Sequence, residues 1–332
     1  MPNEPGAPAE TNRRPGRVGD ERPVRFAHDE ADIRVMSESA AQPLLDSDFL
    51  SRLEQLELVS RKIFLGRMKG ERRSKRKGQS VEFADYRNYV IGDDLRFLDW
   101  NLFARLERLF IRLFMEEEDL HVYLLIDNSL SMDFGNPTKL HLARQIAAAL
   151  GFIGLVNMDR VVIEAFNDRL TQSLPAIRGR RSMWRMMDFL QKLEPSGPSD
   201  LTRALRTFAI KCSGKGIVVV LSDFMDKGGY ENALRYLVAR QMDIYVVQIL
   251  SQEEIEPEIT GDLRLVDIED DDVAEITVNG PLLRRYKQNL AAYRSALYDF
   301  CTRRGITYLF TSNQVPFERL VLSFLRQRGL IR

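Results

Sequence analysis

Apolar residues follow two rhythms along this chain. Val122 to Ile126 form an unbroken apolar run that stops at Asp127, the pattern of a strand buried on both faces of a parallel sheet. Similar runs at 161–166, 216–223, 244–250 and 306–311 predict further strands, and 170–177 reads as an edge strand. Between them, apolar positions recur at helical spacing over 140–156, 182–193, 200–211, 231–241, 282–304 and 316–328. Residues 262–268 and 275–278 alternate with period two around an acidic turn and predict an inserted hairpin. Upstream, Leu50, Leu53, Leu56, Ile63 and Phe64 mark an amphipathic helix, with Ser47 as its N-cap candidate. Strands alternating with helices imply an α/β fold with a mainly parallel sheet and right-handed crossovers.

Residues 1–43 mix Pro, Glu, Arg and Asp without periodicity, a composition that buries too little apolar surface to offset the entropy of ordering. They read as a flexible tail, followed by a region at 44–119 and the α/β domain at 120–332. Lys+Arg and Asp+Glu both number 48, so no global charge favours a nucleic-acid partner, and any electrostatic function is local. Two cysteines are too few for a disulfide framework or a cysteine-based zinc site. No apolar run approaches the roughly 20 residues that span a bilayer, and the N-terminus lacks an apolar signal core. A cytoplasmic protein without a transmembrane segment is the expectation.

The chemistry gathers where strands end. Asp127, Ser129 and Ser131 follow the first buried strand at alternating positions, so in a near-extended loop their side chains converge. Three hard oxygen donors suit Mg²⁺ or Mn²⁺ but leave a six-coordinate shell incomplete. Asp223 ends a second buried strand, and the turn-rich loop 195–202 offers Ser199, with Thr202 in reserve. If the two strands are neighbours, all of these meet over one edge of the sheet, where ligands bind in open α/β folds. The open position would take an outside oxygen, such as a partner's carboxylate. Serine and aspartate after strands also form turns and helix caps everywhere, but turn chemistry alone predicts no such set.

Asp127-x-Ser129-x-Ser131, the Gly-x-Ser199 loop and Ser222-Asp223 resemble the metal-ion-dependent adhesion site of von Willebrand factor A domains, with Ser199 where that family usually has Thr. Upstream, Glu82-Phe-x-x-Tyr-Arg-x-Tyr, Gly92-Asp-Asp-Leu-Arg96, Asp99-Trp100-Asn, Ala104-Arg105 and Glu116-Glu-Glu resemble the signature of the bacterial domain of unknown function 58 family, from about Leu50 to Ser222. That resemblance implies a von Willebrand factor A-like (Rossmann-like) protein, acting beside a MoxR-type AAA+ ATPase on an unidentified client in a chaperone-like or complex-assembly role. Members of the family often carry transmembrane helices.

A metal-dependent protein-binding module with no small-molecule substrate is therefore expected. No activated nucleophile, glycine-rich phosphate loop or zinc cluster is evident, so the chain does not read as an enzyme. A Mg²⁺-dependent phosphoester hydrolase is the rival, because strand-end carboxylates with a metal activate water. A third reading places nucleic acid or an anionic surface on the basic loop 67–77, which carries Arg72, Arg73, Lys75, Arg76 and Lys77. Asp93, Asp94, Arg96, Asp99, Trp100 and Arg105 form either a supporting polar network or a docking surface for the ATPase.

Overall fold

The computed structural model describes residues 44–54, 56, 83–114, 120–269, 273–325 and 331. In chain order the elements begin with α1 (Ser47–Leu53), β1 (Phe83–Asn88), α2 (Trp100–Leu106), β2 (Phe110–Phe114) and β3 (His121–Asp127). There follow α3 (Lys139–Val156), β4 (Arg160–Phe166), β5 (Leu170–Ile177), α4 (Met183–Gln191), α5 (Leu201–Lys211), β6 (Gly216–Ser222) and α6 (Glu231–Ala239). The last part is β7 (Asp243–Leu250), α7 (Gln252–Ile255), β8 (Gly261–Val266), β9 (Val273–Val278), α8 (Gly280–Arg303) and β10 (Thr307–Ser312), closed by a helical turn at Phe317–Arg319 that widens into a π-type segment, Leu320–Leu325.

Six strands form one sheet in the order β10-β7-β6-β3-β4-β5. All its pairings are parallel except β4 with β5, so β5 is the antiparallel edge. The expected α/β class, a mainly parallel sheet flanked by helices, is what the chain builds. Side-chain alternation explains why β3 is apolar from Val122 to Ile126. Val122, Leu124 and Ile126 enter the core shared with α1, α3 and α4, whereas Tyr123 and Leu125 enter the core under α5, α6 and α8.

Helix α3 is long and apolar enough to cross a membrane by length and composition, yet 78% of that stretch is buried in the protein. Its apolarity is spent on the core: Gly151 lets it approach α4 so closely that a Cβ would strike the Met186 sulfur. Helix α1 packs on the same side, with Phe49 edge-on to Phe317 at 4.9 Å between centroids. The predicted helix upstream is described only through Leu53, and its continuation to residue 65, like the basic loop 67–77, lies outside the described residues.

Sheet order fixes where the chemistry gathers. From β3 the chain passes to β4 and β5 on one side, then crosses back to β6, β7 and β10 on the other. The crevice beyond the carboxyl ends of β3 and β6 is therefore the topological switch point, the preferred ligand position in such sheets. Ile126 and Leu221 sit opposite one another there, so Asp127 and Asp223 emerge from adjacent strands.

Candidate metal centre

Asp127 is 1% exposed, and both its oxygens are held. Oδ1 accepts the Ser129 backbone N–H at 3.0 Å and the Ser129 hydroxyl at 2.7 Å. Oδ2 accepts the Ser222 hydroxyl at 2.6 Å, and Ser222 in turn accepts the Phe224 N–H. Ser129 Oγ and Ser131 Oγ lie 3.0 Å apart. The sequence predicts convergence through an extended loop; in the structure Ser129 is extended, at φ −60° and ψ 161°, but Leu130–Asp133 then winds into a 3₁₀ turn. That tight turn, rather than a period of two, brings Ser131 back to Ser129.

The neighbouring loop is stitched to this one. Asn128 accepts the Ser196 N–H at 2.7 Å and donates its amide to the Glu194 carbonyl at 3.0 Å, while the Leu130 N–H bonds the Gly197 carbonyl at 3.0 Å. Ser199 is thereby set at the same edge, its N–H donating to Glu269 Oε2 at 3.2 Å and its hydroxyl 3.4 Å from Asp226 Oδ2. Thr202 instead shares the outer stripe of α5 with Arg206 and Ile210 and lines a shallow depression there with Tyr236. Four-residue spacing puts 202, 206 and 210 on one helix face.

Asp223 has a counter-charge that sequence reasoning missed. Lys139, 1% exposed at the start of α3, donates to Asp223 Oδ2 and to Glu254 Oε1, both at 2.7 Å. Burial pulls the ammonium's pKa down, and the Asp223 and Glu254 carboxylates more than offset it, leaving it above the ordinary lysine value. Glu254 is held by a capping box: Ser251 Oγ accepts the Glu254 N–H at 3.0 Å, and Glu254 Oε2 accepts the Ser251 N–H at 2.7 Å. The Ser251-x-x-Glu254 spacing is the one sequence signal that could have located this partner.

The residues fit a hard divalent cation on the chemistry of the donor set. Cis oxygens of an octahedral Mg²⁺ at roughly 2.1 Å are about 3 Å apart, close to the 2.7 and 3.0 Å that separate Asp127 Oδ1, Ser129 Oγ and Ser131 Oγ. Burial, and then the charge of Asp223, push the Asp127 carboxyl up to about 7. Three carboxylates against one ammonium leave this pocket two negative charges once Asp127 ionises. Asp127, Ser129 and Ser131 would hold the ion directly. Asp223 keeps a free acceptor position on each oxygen beyond the bonds to Lys139 and the Met225 N–H. Among the described residues no group of three or more His, Cys, Asp or Glu gathers as a metal cluster, so hydroxyls are needed to complete the set.

The upstream residues form a separate polar network. Asp93 pairs with Arg87 at 2.8 Å and Asp94 with Arg96 at 2.6 Å. Asp99 caps α2 through the Asn101 and Leu102 N–H groups and also takes Arg112 at 2.8 Å and the Tyr86 hydroxyl at 3.2 Å. The Leu102 N–H foremost holds its pKa below the usual carboxylate range. Around these pairs, Ile91, Leu95, Phe97, Trp100, Phe103 and Leu106 are all exposed, Ile91 at 95% and Trp100 at 62%. Arg105 is exposed beside them. Arg72, Arg73, Lys75, Arg76 and Lys77 lie outside the described residues.

Known proteins place the chain in a family. Uncharacterized proteins Mb1516 of Mycobacterium bovis and Rv1480 of Mycobacterium tuberculosis are each 27% identical to it over 256 residues, covering 75% of this chain and 80% of the relative. Among solved structures it is similar to the conserved hypothetical protein BatB from Bacteroides thetaiotaomicron, at 13% identity and a TM-score of 0.41 over 63% of this chain and 98% of that one. It is also similar to an aerotolerance-related membrane protein from Bacteroides fragilis, at 15% identity and a TM-score of 0.40 over 63% and 98% of the two chains. At such scores neither structure bears on what this chain does. The profile described as "Protein of unknown function DUF58" matches residues 85–296, starting and ending later than the sequence motifs suggest and taking in the β8–β9 hairpin. With that match across most of its length, the chain belongs to the DUF58 family.

Proposed function

We propose that this chain is a metal-dependent protein-binding module that works in the cytoplasm with a MoxR-type AAA+ ATPase, in chaperone-like or complex-assembly activity on a client protein. The observation that carries the reading is the Asp127, Ser129 and Ser131 oxygen set, spaced like ligands of one cation and placed at the switch point of the sheet. Mg²⁺ or Mn²⁺ is the ion, and the position left open by so few protein donors takes a carboxylate from the partner. The ATPase follows from the family resemblance. Its docking surface in this reading is the exposed apolar strip around Trp100, with Arg105 at its border.

The test is Mn²⁺ binding followed by electron paramagnetic resonance, paired with capture of an AAA+ ATPase from native lysate with and without EDTA. Asp127→Ala is expected to abolish Mn²⁺ binding and the EDTA-sensitive capture, with the circular dichroism spectrum unchanged. Capture that ignores both EDTA and Asp127→Ala would refute the reading.

A further inference from the structure

The hairpin β8–β9 brings a carboxylate to the open side of the Asp127 site. Glu269, half-buried just beyond β8, accepts the Ser199 N–H at 3.2 Å, and burial raises its carboxyl pKa while the nearby Ser131 hydroxyl acts to lower it. The Ser129 hydroxyl gives its proton to Asp127, so Ser131 is the donor in its 3.0 Å contact with Ser129 Oγ. The Ser199 loop is bonded to the Asp127 loop through the Leu130 N–H and the Gly197 carbonyl, so the Glu269 side chain stands beside the hydroxyl edge that an incoming oxygen must use. Its backbone N–H bonds Asp267 Oδ1 at 2.9 Å, and Asp267 pairs with Lys227 in the loop after β6 at 3.2 Å. These two links hold the carboxylate over the site.

The hairpin is not part of the main sheet: β8 and β9 pair only with each other. A two-stranded ribbon is marginally stable in water, so lifting it disturbs little of the core. We infer that Glu269 is an internal stand-in for the partner's carboxylate: held by the Ser199 N–H, it occupies the open side of the Asp127, Ser129 and Ser131 set, and an acidic partner side chain binds by displacing it. This inference rests on the metal-dependent reading proposed above. It gives the partner a chemistry, an exposed Glu or Asp side chain, and gives the site a built-in competitor.

The experiment uses the full chain loaded with Mn²⁺, the peptide acetyl-Gly-Glu-Gly-amide as probe, and water-proton relaxation as readout. A carboxylate that enters the ion's shell displaces a bound water and lowers the relaxation rate. Glu269→Gln is compared with wild type, with Lys227→Ala, which loosens Asp267, and with Glu275→Gln, an exposed control on the same hairpin. Glu269→Gln is expected to bind the peptide about tenfold more tightly than wild type, because a site occupied by its own competitor most of the time shows affinity reduced by its free fraction. Lys227→Ala should move in the same direction and Glu275→Gln should match wild type. Equal or absent peptide responses in all four proteins, with Mn²⁺ still bound, would overturn the inference and leave the metal-dependent reading standing. Failure of both wild type and Glu269→Gln to bind Mn²⁺ would overturn both.

Discussion

Lys139→Met separates the two halves of the proposed site. Methionine keeps most of the apolar stem and removes the ammonium, which is 1% exposed in the protein and lies 2.7 Å from both Asp223 Oδ2 and Glu254 Oε1. The two carboxylates, only 6% and 10% exposed, are then left without a counter-charge. Breaking a buried pair by removing one partner costs about 3–5 kcal/mol, and here a single cation serves two anions, so a loss of about 4 kcal/mol is expected. The assay is urea unfolding in EDTA. At a slope of about 3 kcal/mol per molar, that loss moves the midpoint by more than about 1 M. Adding Glu254→Gln removes one stranded charge, so the double variant should be more stable than the sum of the two single losses by at least about 1 kcal/mol. Mg²⁺ should return part of the lost stability, because Asp223 no longer has a protein cation beside it. A loss below about 1 kcal/mol with fully additive variants would refute the reasoning, since the lysine would then not be neutralising these carboxylates.

Two further outcomes follow from the same geometry. Asp127, pushed up to about 7 by burial and by Asp223, has a folded pKa above its unfolded value of about 4, so its contribution to stability is fully present below about pH 4 and is lost as pH rises through 7. Three pH units at about 1.4 kcal/mol each set about 4 kcal/mol as the ceiling; urea midpoints in EDTA from pH 4 to 8 should fall accordingly, and Asp127→Asn or saturating Mg²⁺ should flatten the slope, whereas an unchanged slope would contradict the assignment. Gly216→Ala would put a Cβ against the His121 carbonyl oxygen where β6 begins its pairing with β3. A loss of about 2–3 kcal/mol in urea unfolding is expected from that overpacking, together with weaker Mn²⁺ binding, because the same strand pair carries Asp127 and Asp223; full stability would show that the strands separate freely.

What could be read from the sequence was local. The run from Val122 to Ile126 announces a strand buried on both faces, and the structure divides its side chains between two cores as the period of two requires. Turn chemistry likewise gives the loop carrying Asp127, Ser129 and Ser131, although the 3₁₀ turn that closes it was not legible, since its residues also suit an extended path. Sheet order is a different kind of information. That β6 lies beside β3, with β4 and β5 on the far side, depends on which long crossovers the chain takes, and no window of residues encodes it. The charge partners depend on it in turn: Lys139 meets Glu254 across 115 positions and Ser199 meets Glu269 across 70. In the sequence Lys139 is only a polar residue opening an apolar helix, and Glu269 only one acid in an acidic turn. Their placement changes the physical character of the site. Asp127, Asp223 and Glu254 alone would give the pocket three negative charges once ionised; Lys139 cancels one of them beforehand, and in the inference above Glu269 contests the open side. Under the proposed function both effects would weaken a permanent hold on the ion and its partner, which suits a contact that is made and released rather than one that is fixed.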